Sequence, residues 1–492
     1  MLVYLLRRRY VNINPAYAAA FLSLLVAPWL SLANGATAGV PLLQEKVPLT
    51  LADAVALGVR NSNTLKSVAL TRLMDKFDLL VAEDGFRPHL VLNNQYRHNM
   101  GAQLPGQENH AGLSASLLTP LGTQFEADWN DDYSGQSSAG SSRSLGNSVS
   151  VVQPLLKGAG VDFNTAPVRL ARLDERIGHL NQQKQIADTI TRIIQAYYGL
   201  LAAQQGVMLA QESLQRASAQ RDVMQALIDS GRQAALDKLQ SDADISSQQL
   251  NLEQQENALN ERRLALNGLL GIDTRTPLSA SDRLDIQPIT LKAPQAIALA
   301  MKNQPDYLIQ QLTADKQQIY LMQAKNQRLW GVDLVAGAGR VNTRAADIED
   351  DDGRWQRYVG LNVSIPLNDL QARQEEQRAW VAGKIQLLQM ADVRQQLEET
   401  VTQQVNALNS NWQQFLIADR LTRLSEKTLQ AEQAKLLAGR SSNFQVLSYQ
   451  TSLRTAQSAR VSAQIAYLNA RAELDRVLGT TLNHWRIQQN DR

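Results

Sequence analysis

The sequence predicts a mainly α-helical fold in which two long helical hairpins each accompany a few β-strands. Three observations predict it: an internal duplication, two long proline-free tracts and short alternating segments between the helices. The chain has 492 residues, of which 5% are aromatic and 14 are proline, and its net charge is +2. Few aromatic residues and few prolines are typical of long helices rather than of a compact mixed domain.

The duplication is visible in two matched pairs of motifs. The stretch 49–63 returns at 291–305, and farther on Gly231-Arg232 returns as Gly439-Arg440. A repeat of roughly two hundred residues is far longer than solenoid repeats, so it indicates one large unit present twice. We expect the domains to be a first repeat over 39–286, a second repeat over 287–480 and a C-terminal tail over 481–492.

The first 38 residues are typical of a secretory signal peptide. Arg7-Arg8-Arg9 supplies the positive segment, 16–32 the apolar core and Ala36-Thr37-Ala38 the small residues of a cleavage site. An uncleaved anchor is disfavoured because Pro28 interrupts the apolar run, which is shorter than the ~20 residues of a comfortable span. Cysteine is absent, which excludes disulfides, thiolate metal sites and a lipidated N-terminal cysteine. We expect an exported mature protein.

Helical periodicity marks two short and two long tracts. The short tracts lie near 50–85 and 292–328, and the long hairpins are expected over 160–271 and 367–479, with turns at Gly231 and Gly439. From Val393 to Phe415 apolar residues recur every three or four positions, as in a coiled-coil packing seam. Each arm of such a hairpin would span on the order of 100 Å at ~1.5 Å per residue. Thr165 followed by Pro167 suits the start of the first long helix.

Alternating polar and apolar residues predict strands over about 87–155 and 330–366. The segment Gln124–Trp129 alternates strictly, which is the period of a strand with two unlike faces. The Gly/Ser-rich segment 134–144 and the acidic segment 347–353 are predicted loops. The first repeat is longer by roughly thirty residues in this region, which we interpret as an additional hairpin near 111–130.

In an exported protein such strands indicate one face in lipid and one in water, although a soluble sandwich alternates in the same way. Four to six strands are too few to close a membrane barrel, and an open sheet would leave unpaired backbone groups in hydrocarbon. Strands that enter a membrane must therefore come from several chains, which predicts a homo-oligomer. The residues leave open whether the additional hairpin enlarges the barrel, folds inside it or lies at its periplasmic rim.

Four motifs carry a resemblance to a known family. They are Asn-x-Pro-Asp-Tyr-Leu at 303–308, Gln-Pro-Leu-Leu-Lys-Gly-Ala-Gly at 153–160, the turn Gly-Arg-Ser-Ser-Asn-Phe-Gln-Val-Leu at 439–447 and Ala-x-Leu-x-x-x-Leu-Gly at 472–479. With them the chain resembles the outer-membrane efflux protein family, whose type member is TolC, over nearly all of its mature length. Because it has no cysteine, it resembles the non-lipidated branch.

The resemblance implies a TolC-like trimeric α/β-barrel duct, with a shared barrel in the cell outer membrane and a helical tunnel in the periplasm. It implies the passive exit channel of a tripartite efflux pump or a type I secretion system. The implied partners are two further copies, a periplasmic adaptor protein, an inner-membrane pump and outer-membrane lipid.

The resemblance also implies two sets of site residues at the hairpin turns. The periplasmic aperture would involve Asp237 and, in the second repeat, the corresponding slots Gln445 and Ser448. Because those two slots are not acidic, the expected acidic ring is thinner than in the type member, which weakens the case for cation selectivity. The adaptor would contact the hairpin tips, marked by Gly231, Arg232, Gly439 and Arg440.

The remaining candidate site residues give weaker indications of function. Phe125, Trp129 and Trp330 fit either a girdle at the membrane interface or core packing. We expect no metal and no cofactor, because five histidines are scattered and the acidic run 347–352 lacks calcium-loop order. Near-neutral charge gives no footprint for nucleic acid, and no nucleophile–base pattern indicates an enzyme.

Two other functions remain as alternatives. A periplasmic coiled-coil adaptor of an export system needs one hairpin flanked by β-rich halves, whereas two hairpins are predicted here. A purely structural coiled-coil protein is disfavoured by the alternating strands and by the signal peptide.

Overall fold

The computed structural model describes residues 47–100, 106–136, 140–284, 286–345, 348–351 and 353–486. The predicted signal peptide over 1–38 and the last part of the predicted tail, 487–492, lie outside the described residues. Within the described ranges, none of the helices combines the length and the apolar character needed to cross a membrane.

In both repeats a short strand, two short helices, a group of longer strands and a long helical hairpin follow one another, although the number of strands differs. The helices are α1 Leu51–Asn61, α2 Asn63–Asp84, α3 Val161–Asn164, α4 Ala166–Asp229, α5 Ala235–Leu270, α6 Ala293–Asn303, α7 Pro305–Gln327, α8 Leu370–Leu437, α9 Asn443–Val477 and α10 Thr481–His484. The strands are β1 Val47–Leu49, β2 His89–Asn99, β3 Gly106–Leu118, β4 Gln124–Gln136, β5 Gly140–Pro154, β6 Leu278–Ala280, β7 Gly331–Ala345, β8 Ile348–Asp351 and β9 Gln356–Ser364.

The long helices confirm the predicted fold class. α4 has 64 residues and α8 has 68, so each is on the order of 100 Å long at ~1.5 Å per residue. α5 and α9 return along them with 36 and 35 residues. Thr165 occupies the N-cap position of α4 as expected, but its side chain does not cap the helix, because its hydroxyl donates to the carbonyl of Val161 at 2.7 Å instead. The reason is that α3 immediately precedes it and holds Thr165 in a helical conformation.

The ends of the return helices are built alike in the two repeats. α5 ends at Gly271 with φ 64°, and α9 is followed by Gly479 with φ 69°. A side chain at either glycine would meet the end of the short helix of its own repeat. At Gly271 the nearest atom is Cβ of Asn61 at 3.3 Å, and at Gly479 it is the carbonyl oxygen of Asn303 at 2.4 Å. Asn61 and Asn303 are the residues whose match revealed the duplication.

Buried apolar side chains form one cluster in each repeat and a third between the hairpins. The first cluster surrounds Tyr197, whose hydroxyl donates to the carbonyl of Leu49 at 2.9 Å. The second surrounds Tyr467, whose hydroxyl donates to the carbonyl of Gln287 at 2.8 Å. Buried polar groups need such partners. The two tyrosines therefore hold in place the segments that precede α1 and α6.

The large sheet is antiparallel throughout, in the order β2-β3-β4-β5-β7. β9 and the short β8 pair along the remaining edge of β7, so the sheet has six strand positions. The additional hairpin of the first repeat is β3–β4, which is longer than the predicted 111–130. The predicted loops are also shorter than expected: β4 and β5 extend into 134–136 and 140–144, and β8 forms within 347–353. Polar composition indicated loops there, but a neighbouring strand supplies the backbone hydrogen bonds that make these segments strands.

Candidate functional site

One face of the large sheet is apolar across all six strand positions, and the opposite face is predominantly polar, with Val91, Val152 and Val335 among its apolar residues. Register fixes the faces, because directly paired residues in antiparallel strands point to the same side. The apolar face carries Leu90 and Leu92 on β2, Leu113, Ala115 and Leu117 on β3, Phe125, Ala127 and Trp129 on β4, Val149 and Val151 on β5, Leu334, Ala336 and Ala338 on β7, and Val359, Leu361 and Val363 on β9. The polar face carries residues such as Gln95, Ser116, Glu126, Ser150 and Asn362. The sheet thus has the two unlike faces that a membrane wall requires.

The apolar face is solvent-exposed in the single chain. At the two edge strands Leu92 is 75% exposed and Val359 is 79% exposed. Within the described residues β2 pairs only with β3, and β9 only with β7. A large exposed apolar surface that ends in two open edges marks an interaction surface.

The three candidate aromatic residues all lie on or beside this sheet and are 40–55% exposed. Phe125 and Trp129 lie near opposite ends of the apolar stretch of β4 and share its apolar face. Trp330 precedes β7 at the end of the sheet nearest the helices, where its carbonyl accepts a hydrogen bond from the amide of Lys157 at 3.1 Å.

The helices nearest the sheet form a row in the order α2, α4, α7, α8. Ion pairs join neighbours: Arg72 of α2 with Glu175 of α4 at 2.8 Å, and Lys184 of α4 with Asp306 of α7 at 2.7 Å. Gln386 of α8 donates to the side chain of Gln310 of α7 at 2.8 Å. Each helix of this row is connected along the chain to one strand of the sheet. The connected strands are β2, β5, β7 and β9, and the short α3 lies between β5 and α4.

The two hairpin tips have the same local structure. After α4, the amide of Gly231 donates to the carbonyl of Ile228 and the amide of Arg232 to that of Leu227, both at 2.8 Å. The turn after α8 repeats this pattern one-for-one at Gly439 and Arg440. Both glycines have φ near 70°. This is the Schellman helix ending, which requires a left-handed residue and explains the glycine in each tip.

The tips lie side by side. The guanidinium of Arg232 donates to the carbonyl of Leu437, the last residue of α8, at 3.0 Å. Arg440, the matching residue of the other tip, is exposed. Both arginines are therefore exposed, and Arg232 also joins the two tips.

A buried polar cluster lies directly behind the tips, between the hairpins. Asn443 is fully buried and accepts a hydrogen bond from Nε2 of Gln220 at 3.1 Å. Its own Nδ2 donates to the carbonyl of Asp237 and to the hydroxyl of Ser241, each at 3.1 Å. One amide thus connects α4, α5 and α9. Met224 and Leu436 belong to the apolar cluster between the same hairpins.

Glu432, near the end of α8, is hydrogen-bonded to the turn of the second tip. The hydroxyl of Ser441 donates to its carboxylate at 2.6 Å, and Nζ of Lys435 lies 3.0 Å away. The hydrogen bond from Ser441, followed by that from Lys435, lowers the pKa of Glu432 below its usual range. The ionised carboxylate therefore ties the turn at Ser441 to α8.

The predicted aperture residues lie on the first turns of the return helices. Asp237 lies in the first turn of α5 and is half-buried. Gln445 lies in the corresponding turn of α9, where its backbone N–H donates to the hydroxyl of the N-cap residue Ser442 at 3.3 Å. Ser448 is exposed one turn farther on. Sequence reasoning missed Asn443 and Gln220. Their position inside Gln- and Asn-rich helices gave no signal, since periodicity separates polar from apolar residues but does not find a buried amide.

Comparison with known proteins agrees with this architecture. Residues 113–272 match the sequence model of the family described as outer membrane efflux protein. No curated protein matches the chain in sequence. Among solved structures, the fold is similar to CusC, with 14% identity, a TM-score of 0.66 and coverage of 87% of this chain and 92% of that one.

Two further channel structures have a similar fold. The MtrE outer membrane channel of Neisseria gonorrhoeae has 14% identity and a TM-score of 0.66, covering 88% of this chain and 89% of that one. The outer membrane protein VceC of Vibrio cholerae has 14% identity and a TM-score of 0.64, covering 87% and 96%.

Paired helical hairpins joined to a two-faced sheet define the class of TolC-like α/β channel proteins. The family whose model matches residues 113–272, described as outer membrane efflux protein, is the one that the sequence motifs resemble. That family consists of channels rather than enzymes.

Proposed function

We propose that this chain is the outer-membrane exit channel of an export system and that it acts as a homotrimer. The observation that carries the proposal is the sheet: one apolar face across six strand positions, two open edges and two long helical hairpins on one side. In lipid each unpaired backbone group costs several kcal/mol. Pairing β9 of one copy with β2 of the next removes both edges, and since these strands are antiparallel to each other, the alternation continues around the ring.

In this arrangement the apolar face meets outer-membrane lipid and the helices extend into the periplasm. Phe125, Trp129 and Trp330 are exposed in the single chain, and we assign them to the membrane interfaces. Transport is passive, and a partner pump in the inner membrane supplies the energy, either in a tripartite efflux pump or in a type I secretion system.

The tips are proposed as the contact with a periplasmic adaptor, through Gly231, Arg232, Gly439 and Arg440. Arg440 is the best single probe, because Arg232 also holds the two tips together. We expect Arg440→Glu to reduce export while the trimer stays intact, and Arg440→Lys to retain most of it. Full export with Arg440→Glu would remove this residue from the adaptor contact.

The alternative of a periplasmic adaptor required a single hairpin. The structure has two hairpins of nearly equal length and a sheet with six strand positions. A channel wall requires both features, whereas the adaptor architecture requires neither the second hairpin nor the large sheet.

The deciding experiment is separation of inner and outer membranes, followed by gel electrophoresis with and without heating. We expect a trimer in the outer-membrane fraction that becomes a monomer on heating. A monomeric protein in the soluble periplasmic fraction would contradict the proposed channel.

A further inference from the structure

The two repeats differ most in the number of strands they add to the large sheet. The first repeat contributes four full strands, β2 to β5, whereas the second contributes β7 and the β8–β9 edge. The difference is the β3–β4 hairpin, which lies between β2 and β5 and hydrogen-bonds to both along most of its length. The hairpin is therefore inserted into the sheet, and it separates two strands that would otherwise be neighbours.

The inserted hairpin follows the same two-faced pattern as its neighbours. Ala115 of β3 pairs with Ala127 of β4, which pairs with Val149 of β5, and all three belong to the apolar face. One residue along, Ser116 pairs with Glu126, which pairs with Ser150, on the polar face. A hairpin folded into a water-filled lumen or lying on a rim in water has no physical need for a continuous apolar face in register with the rest of the sheet.

The turn of the hairpin is anchored at the helix end of the sheet. The amide of Gly160 donates to the carbonyl of Leu121 in the turn at 3.2 Å. Gly122 has φ 94°, and a side chain there would lie 2.6 Å from the carbonyl oxygen of Gly158. β3 and β4, of 13 residues each, run from this anchor to the far end of the sheet. The hairpin thus spans the whole height of the sheet.

Widths give an independent argument. Strands about 4.8 Å apart and tilted by about 40° each occupy about 6 Å of a barrel's circumference, so six occupy about 38 Å and four about 25 Å. The row of helices α2, α4, α7 and α8, at 8–10 Å between axes, occupies about 32–40 Å. At this tilt, six strands have about the same width as the four helices that continue them.

We infer that the β3–β4 hairpin is part of the lipid-facing wall, so that three chains close a barrel of eighteen strands with the same width as the helical tunnel. This inference rests on the proposed function, because it needs the trimer and the membrane. Barrels of sixteen to eighteen strands leave an open aqueous channel. The outer-membrane end of this duct then has no narrowing of its own, and the size limit for cargo lies at the hairpin tips.

The chain contains no cysteine, so single introduced cysteines report cleanly on each face. We would attach a nitroxide at Ala127→Cys and Glu126→Cys in the full-length protein reconstituted into phosphatidylcholine vesicles. Val149→Cys and Ser150→Cys on β5 are their direct cross-strand partners and serve as controls. Collision with oxygen reports lipid exposure, and collision with a nickel chelate reports water exposure. We expect Ala127→Cys to behave like Val149→Cys, in lipid, and Glu126→Cys like Ser150→Cys, in water.

Two other results would each overturn the inference in a different way. If both hairpin positions face water while Val149→Cys faces lipid, the hairpin is not in the wall, although the proposed channel stands. If Val149→Cys also faces water, the proposed membrane sheet fails, and the inference fails with it. A density map of the trimer in lipid nanodiscs then counts the strands directly, with eighteen expected and twelve contradicting the enlarged barrel.

Discussion

Gln220 on α4 donates a hydrogen bond to Oδ1 of Asn443 on α9 at 3.1 Å, and both side chains are buried between the hairpins. Asn443 in turn holds the main chain of Asp237 and the hydroxyl of Ser241 on α5. Three of the four long helices therefore share one buried amide. A buried polar group that loses its partner costs more than the hydrogen bond itself contributes.

We predict that Asn443→Ala destabilises the hairpin tips without unfolding the parts of α4 and α8 that lie near the sheet. It leaves the Gln220 amide and the Ser241 hydroxyl without this partner, at a cost of about 1–3 kcal/mol. Amide hydrogen exchange at the start of α5 and α9 should therefore accelerate by about 5- to 150-fold. Asn257→Ala, at an exposed position on α5, is the matched control and should leave exchange at the tips unchanged. Equal protection in Asn443→Ala and in the unaltered protein would show that the cluster does not hold the hairpins together.

Glu432 makes the second tip sensitive to acid. Because its pKa is lowered in the folded state, its stabilisation is complete above the ordinary value near 4.5 and is lost as the pH falls through the lower folded value. The protection factor of the amides around Ser441, taken against intrinsic exchange at the same pH, should therefore fall below about pH 4.5. Glu432→Gln should exchange faster at pH 6 and show a weaker acid dependence.

Glu426→Gln, exposed on the same helix, controls for the loss of charge. It should keep both the slow exchange at pH 6 and the acid response. An acid response in Glu432→Gln as steep as in the unaltered protein would assign it to another group.

The sequence predicted the fold class and the tip turns, because both depend on patterns that recur in the two repeats. Gly231 and Gly439 were found from their repetition, and the structure shows the Schellman geometry that requires them. The buried amide of Asn443 was not predicted, since one polar residue among many carries no periodic signal. The place of β3–β4 in the sheet was also undetermined, because alternation assigns faces within a strand but not the order of strands.

Gly479→Ala should destabilise the protein more than Gly271→Ala, although the two glycines are equivalent in the repeats. Both have positive φ, which costs an L-residue about 1–2 kcal/mol. At Gly479 the new Cβ would lie 2.4 Å from the backbone oxygen of Asn303, which cannot move aside easily, whereas at Gly271 the backbone oxygen of Asn61 is 3.6 Å away, an ordinary contact. Thermal unfolding of the purified protein in detergent should show this order.

Gly383→Ala is the opposite control for backbone effects. Gly383 lies inside α8, and a Cβ there has open space around it in the chain. Alanine is a better helix former than glycine by about 1 kcal/mol, so this variant should unfold at a slightly higher temperature. If Gly479→Ala is as stable as Gly383→Ala, the close approach to Asn303 is not a constraint.

The proposed aperture predicts how charge at the tips controls ion selectivity. In a trimer Asp237 supplies three carboxylates near the tips, while the matching slots of the second repeat, Gln445 and Ser448, supply none. Asp237→Asn should lower cation preference in planar bilayers at 0.1 M salt, and Gln445→Asp should raise it. Both effects should shrink at 1 M salt, where charges are screened over about 3 Å instead of about 10 Å. Glu256→Gln removes a charge about 28 Å farther along α5 and should change the preference less. If Asp237→Asn leaves selectivity unchanged while Glu256→Gln alters it, the narrow part of the pathway is not at the first turn of α5.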